Sequence, residues 1–336
     1  MITLESILIT GGAGYVGNVL VPKLLAKNYK VTVYDILYFG KDTLPLSHPN
    51  LKVIKGDIRD IQLFKTIVKD KDIVLHLACI SNDPCFELDE SLSKSINYDC
   101  FEPLVLVSKE AGVKRFIYCS SSSVYGVSDA PEVTEETPLV PLTLYNKYKG
   151  LCEPLLFKHM SDDFVCVAIR PATICGYSPR TRLDLSVNIL TNHAVNKRHI
   201  IVFGGSQKRP NLHIEDMCDL YELLFIIPSE KIQGETFNVG HQNFTIMELA
   251  QMVKKVVEQE FQDVTPINIS TTASNDNRSY HISSEKIKKV LGFEAKRTVE
   301  NAVRDLCHAF KAGKLKNSFE NNWYYNVKQL QQSEVV

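Results

Sequence analysis

Short runs of β-branched and aliphatic residues alternate with longer amphipathic stretches through the first 170 residues of the chain. Six of these runs read as strands, at 7–10, 30–34, 52–55, 73–77, 115–119 and 164–169. Between the first two, Val16, Val19, Leu20, Leu24 and Leu25 fall at helical spacing over 15–28, with Pro22 as a first-turn residue or a kink. Apolar strands separated by helix-length segments predict an α/β fold with a Rossmann-like doubly wound parallel sheet. The rhythm breaks after about residue 176, where Gly204-Gly205, Pro210, Pro228 and Pro266 separate shorter elements and one strong helical period remains around 245–261. The pattern therefore predicts a sheet domain over 1–175, a smaller mixed α/β domain over 176–320 and a fraying tail over 321–336. Strand-like runs at 200–203 and 235–239 are expected to return to the first domain.

The chain has 336 residues, 44% of them apolar and 23% charged, which is ordinary globular usage. Thirty-eight basic against 39 acidic side chains leave a net charge of −1, so no broad positive field invites nucleic acid or an anionic membrane. The longest apolar stretches, such as 73–77 and 223–227, fall far short of the roughly 20 residues that span a bilayer. Strand-like sequence begins at Ile7, leaving no room for a leader before it, and the nine cysteines contain no Cys-x-x-Cys pair. Reduced thiols and a cytoplasmic protein are the expectation. The nine histidines show no metal-ligand spacing, so no metal is expected, and His76 reads as a structural strand residue.

Thr10-Gly11-Gly12-Ala13-Gly14-Tyr15-Val16-Gly17 follows the first strand and opens the first helix. Glycines there permit a tight turn and close approach of a diphosphate, and a helix amino terminus offers unpaired N–H groups. Glycines 12, 14 and 17 satisfy one dinucleotide spacing and 11, 14 and 17 another, so spacing alone leaves the register open. Asp35 ends the second strand, 18 residues after Gly17. A carboxylate at that place suits the ribose hydroxyls of NAD and repels the 2′-phosphate of NADP.

Tyr145 and Lys149 stand four residues apart, on one face of any helix that carries them. An ammonium beside a phenol favours phenolate and lowers its pKa towards the range of a general base. The buried-strand pattern at 115–119 ends in Ser120-Ser121-Ser122-Ser123, which puts hydroxyls at the carboxyl end of a parallel strand, where such folds bind ligands.

Taken with Gly56-Asp57-Ile58-Arg59-Asp60, His76-Leu77-Ala78, Asn97, Arg170-Pro171, Arg209, His213 and Arg278, these residues resemble the extended short-chain dehydrogenase/reductases acting on nucleotide sugars, the group of UDP-galactose 4-epimerase. The resemblance runs to about residue 310. It implies NAD as cofactor, with Gly11, Gly14, Tyr15, Val16 and Gly17 at the phosphates, Asp57 and Ile58 at the adenine, Leu77, Ala78, Asn97 and Pro171 along the channel, and Lys149 on the nicotinamide ribose. It also implies Tyr145 as base and Ser121 as its hydrogen-bonding partner at the sugar, with a 4-keto sugar as intermediate. A nucleotide diphosphate sugar is the expected substrate, met by Ser81, Asn82, Ser122, Ser123, Thr173, Asn188, Val202, Arg209 and Arg278. A homodimer built from two helices per subunit is implied as well.

The fate of the 4-keto sugar separates the reactions. Dehydratases of this family carry Asp-Glu after the active-site hydroxyl, whereas Ser122 and Ser123 lack that proton-transfer chemistry. The expectation is an epimerase that returns hydride to the opposite face of the ketone. Thr173, where epimerases usually carry Asn, and the segment 176–185, which resembles sugar-nucleotide 4-dehydrogenases of surface-polysaccharide pathways, keep net C4 oxidation or ketoreduction as the alternative; 4,6-dehydration ranks below both.

Overall fold

The computed structural model describes residues 5–332 except 129, 131, 263–264, 274–278 and 280. Its strands are β1 (Ser6–Thr10), β2 (Lys30–Asp35), β3 (Leu51–Lys55), β4 (Ile73–His76), β5 (Arg115–Cys119), β6 (Val165–Pro171), β7 (Thr173–Cys175), β8 (His199–Phe203), β9 (Lys208–His213), β10 (Glu235–Val239), β11 (Gln242–Thr245) and β12 (Asn268–Thr272). Seven of them form a sheet in the order β10-β6-β5-β4-β1-β2-β3, parallel at every junction. Strand order reverses between β1 and β4, the place where open parallel sheets leave a crevice beyond their carboxyl ends. β4 and β6 are buried along their whole length because helices cover both faces, which is why they read as unbroken apolar runs.

One apolar cluster lies on each side of the sheet. The first joins Ile7, Ile9, Val31 and Val33 to the helix Gly17–Ala26 and to the helix Ile214–Ile226. The second joins Leu8, Tyr34, Val74 and Phe116 to the helices Phe101–Glu110 and Leu144–Phe157. Pro22 sits inside Gly17–Ala26, and the helix continues through it. The later chain is interleaved with the sheet: Ile214–Ile226 packs on one face, and β10 extends the edge beside β6.

The run expected to return at 200–203 forms a strand but stays outside the large sheet. β8 pairs in parallel with β12 as a separate two-stranded sheet, while β11, β9 and β7 make a third sheet of three strands. The alternation of exposed and buried residues along β8 explains this, since a strand inside the parallel sheet would be buried on both faces. Around these strands Val187, Leu190, Val202, Leu249, Val253, Val299 and Val303 form a core of their own.

The tail does not fray over its described length. Residues Asn322–Tyr324 make a short turn and Asn326–Gln332 a helix, with Tyr324, Asn326 and Leu330 buried. Trp323 Nε1 donates to Phe39 O at 2.7 Å and Gln329 Nε2 to Tyr38 O at 3.1 Å, which ties this segment to the loop after β2. No described helix is long and apolar enough to cross a membrane.

Candidate active site

A cleft of about 820 Å³ opens at the carboxyl ends of β1, β2, β4 and β5. Gly11, Gly14, Tyr15, Val16, Gly17 and Asp35 line it at one end. Of the two glycine registers, the structure brings 11, 14 and 17 to the cleft. Gly12 faces inward, where a Cβ would press on Val33 and Ile9, and it does not reach the cleft. Gly11 has φ +71°, and a Cβ there would stand 2.6 Å from Ala78 N, so only glycine lets the ends of β1 and β4 approach this closely. At Gly17 a Cβ would stand 2.1 Å from Gly12 O, which binds the helix start tightly to the turn. Among the described residues none accepts a hydrogen bond from the N–H of Tyr15, Val16 or Gly17. Free donors at a helix amino terminus, bare of side chains at Gly14, suit a diphosphate.

Asp35 Oδ2 accepts from Ala13 N at 3.0 Å and Oδ1 from Leu37 N at 2.7 Å, which holds the carboxyl beside the turn. Burial pushes it up from the ordinary carboxylate range, against the pull of these two N–H groups. Asp57 and Ile58 come after β3 and also line the cleft. Burial raises the Asp57 carboxyl, but the Arg59 guanidinium and backbone N–H outweigh it and hold the group below its usual range. The residues present therefore fit a dinucleotide, with a cradle for the diphosphate and carboxylates for an adenosine.

Leu77, Ala78, Ser81 and Asn82 come after β4, Pro171 and Thr173 flank the junction of β6 and β7, and all line the cleft. Asn97 stands behind this wall. Its Oδ1 accepts from Ile80 N at 2.8 Å and its Nδ2 donates to Ile80 O at 2.9 Å, so it braces the loop and does not line the channel. Asn188 likewise lies fully buried, accepting from Gly176 N at 3.0 Å and donating to Arg182 O at 2.8 Å. Val202 points into the small core, whereas Ile201 and Phe203 beside it line the cleft. Period-two alternation in β8 carried the signal for that correction. Arg209 lines the cleft from β9, and Arg278 lies outside the described residues.

The helix Leu144–Phe157 begins at Thr143, whose side chain caps it, and presents Tyr145 and Lys149 on one face of the cleft. Lys149 is buried and donates from Nζ to Cys119 O at 2.7 Å, with the Tyr118 ring beneath it. Ser121 Oγ shares a 2.6 Å hydrogen bond with Ser123 Oγ, which in turn donates to Asn146 Oδ1. Three polar side chains thus form a chain that ends in the cleft. Ser122 has hydroxyl chemistry only, and no carboxylate stands at either position after Ser121.

One electrostatic expectation needs correction. Burial pushes the Tyr145 phenol above its ordinary range, the Cys79 thiol adds to this, and the lowering by Lys149 is smaller than their sum. Cys119, on the cleft wall with Cys79, escaped the sequence reading because an isolated cysteine at the end of an apolar run reads as core. Arg180, Arg182, Asp184 and Asn326 escaped it too, since they come together only through the tertiary fold. His76 is structural: its Nδ1 lies 2.9 Å from Thr10 Oγ1 among Phe101, Phe116 and Tyr118, and burial pushes it down to about 3.

Comparison with known proteins decides the family. The model of the NAD dependent epimerase/dehydratase family matches residues 7–240. The chain belongs to that family. Relatives of this member include a UDP-glucose 4-epimerase of Lactobacillus helveticus, 27% identical over 316 residues, with 86% of this chain and 92% of that one covered. A dTDP-D-glucose 4,6-dehydratase of Mus musculus is 28% identical, with 89% and 87% covered. Among solved structures, MoeE5 in complex with UDP-glucuronic acid and NAD superposes with TM-score 0.79 at 22% identity, covering 92% of this chain and 100% of that one. This family member is an NAD-dependent enzyme of the nucleotide-sugar epimerase/dehydratase kind.

Proposed function

We propose that this protein is a nucleotide-sugar epimerase that acts by transient oxidation of the sugar at C4. The observation that carries the reading is the joint placement of Tyr145, Lys149 and Ser121 in one cleft, with serines at 122 and 123 where dehydration needs a proton donor and acceptor. NAD, when bound, supplies the acceptor and donor of hydride at C4. Tyr145 Oη takes the proton of the C4 hydroxyl, and Ser121 Oγ donates a hydrogen bond to that oxygen as it becomes a carbonyl. Lys149 holds positive charge one helical turn away, which favours phenolate at the moment the proton moves. On return of hydride to the opposite face, Tyr145 gives the proton back.

Arg209 from β9, together with Phe203 and Ile201 from β8, lines the cleft and is the proposed seat of the substrate's diphosphate and base. The helices Phe101–Glu110 and Leu144–Phe157 expose Leu106 and Leu151, each 39% accessible, on the faces through which a homodimer would form. Nine unpaired cysteines suit a cytoplasmic setting.

The test is incubation with UDP-, GDP-, CDP- and dTDP-sugars, then chromatography with mass detection. A new peak of unchanged mass supports epimerisation and names the nucleotide. A product lighter by two hydrogens would replace it with net C4 oxidation, and loss of water would replace it with dehydration.

A further inference from the structure

Two arginines two residues apart on the wall of the cleft are neutralised differently. Arg182 Nε and Nη2 lie 3.0 and 3.1 Å from the Asp184 carboxylate, and Nη1 donates to Ser81 Oγ at 3.2 Å. Arg180 is 1% exposed, yet no described carboxylate lies in ion-pair contact with it. Its Nη2 donates to Asn326 Oδ1 at 2.6 Å, while Nε and Nη1 have no hydrogen-bond partner among the described residues. The guanidinium is stacked 3.7 Å from the centroid of Phe39. Burial, reinforced by the charge of Arg182, pushes it down to about 9. A buried cation with two unused donors is costly unless a ligand completes it.

Position names the ligand. The chain around Arg180 is fastened to the glycine turn, since Tyr15 Oη donates to Gly176 O at 2.6 Å and Ser178 Oγ to Tyr15 O at 2.8 Å. Arg180 lines the cleft together with Gly11, Gly14, Gly17 and Asp35, and its charge is felt at the Asp35 carboxyl. Two unused guanidinium donors and three unused backbone donors therefore belong to residues that line one cleft. The C-terminal segment fixes their aim: Asn326 Nδ2 donates to Ser81 Oγ at 2.9 Å and its backbone N to Asp184 Oδ2 at 3.2 Å.

We propose that Arg180 is a ligand of the NAD diphosphate and that Asn326 is the positioning residue which directs its free Nε–H and Nη1–H groups towards it. This rests on NAD occupying the cleft. A planar fork meets two phosphate oxygens at once, which an ammonium cannot do. The segment 321–332 is then a structural part of the cofactor site, supplied from the far end of the chain.

The experiment is titration calorimetry of the apo-protein with ADP, adenosine and 2′,5′-ADP, for wild type and for Arg180→Gln, Arg180→Lys and Asn326→Ala. Arg180→Gln is expected to weaken ADP about 10–100-fold and to leave adenosine unchanged, as loss of charged hydrogen bonds predicts. Arg180→Lys recovers part of the loss, and Asn326→Ala weakens ADP about 3–10-fold, again without effect on adenosine. NAD retained through gel filtration, read by absorbance, takes the same order. Equal loss of ADP and adenosine would make Arg180 a purely structural residue and overturn the proposal, as would unchanged ADP affinity. A loss confined to 2′,5′-ADP would move the contact to the ribose. Should Arg180→Gln fail to fold, Arg180→Lys and Asn326→Ala give the same comparison. Wild-type protein that binds neither ADP nor NAD would overturn the cofactor assignment itself.

Discussion

The two walls of the cleft are made by different means. On the sheet side, the backbone itself forms the surface: Gly11, Gly14 and Gly17 line the cleft, the N–H groups of Tyr15, Val16 and Gly17 have no acceptor among the described residues, and the ends of β1 and β4 approach so closely that a Cβ at residue 11 has no room. On the opposite side the surface is made of side chains, Arg180, Arg182, Ile201, Phe203 and Arg209, carried by β8, β9 and the loop after β7. A backbone wall tolerates almost no change of residue but recognises any diphosphate. A side-chain wall accepts substitution and can therefore select among nucleotides and sugars.

Substitutions probe this contrast at several points. The largest effect is expected at the centre, where both walls meet: Tyr145→Phe should lower turnover by about 10²–10⁴-fold while NAD binding persists. Full turnover by that variant would remove the proton-transfer role. Next comes Gly17→Ala, whose Cβ would collide with Gly12 O at 2.1 Å. About 1–3 kcal/mol of destabilisation with loss of retained NAD is expected, measured by thermal melting and absorbance of the purified protein. On the side-chain wall, Phe203→Ala should raise KM about 5–100-fold with little change in kcat, because stacking on a base is worth about 1–3 kcal/mol. Its neighbour Val202→Ala should do the reverse, costing about 1–3 kcal/mol of stability with KM unchanged. If both variants behaved alike, the inward and outward faces of β8 would be wrongly assigned.

The smallest effect concerns pH and lies behind the backbone wall. His76 ordinarily titrates near 6.5, and burial pushes it down to about 3 in the folded chain. Between these values the unfolded chain binds the extra proton, so stability is complete above about pH 6.5 and declines as pH falls towards about 3. His76→Phe should flatten that decline in urea unfolding measured from pH 7 to pH 4, and an unaltered slope would exclude His76 as its source.

Much of the backbone wall was legible in advance. Alternating apolar runs gave the strands of the parallel sheet, and the string from Gly11 to Gly17 with Asp35 marked the turn, because a sheet buried on both faces and a glycine that must lack a Cβ leave direct traces in residue type. The side-chain wall was not. Val202 and Phe203 differ in role only because β8 pairs with β12, and Asn97 and Asn188 proved to be braces because their partners lie 17 and 12 positions away across folded loops. The tail read as polar and loose, yet Asn326 is 5% exposed between Arg180 and Ser81.

Local sequence was therefore enough for the parallel sheet, the glycine turn between β1 and the first helix, and the pairing of Tyr145 with Lys149 on one helix face. These arise from local periodicity, from the absence of a side chain and from spacing along one helix, all of which act over a few residues. Folding set the register of the glycines, the faces of β8, the raised pKa of Tyr145 and the meeting of Arg180 with Asn326. Each depends on what burial brings together across the chain, and desolvation acts on a group only once its neighbours are in place.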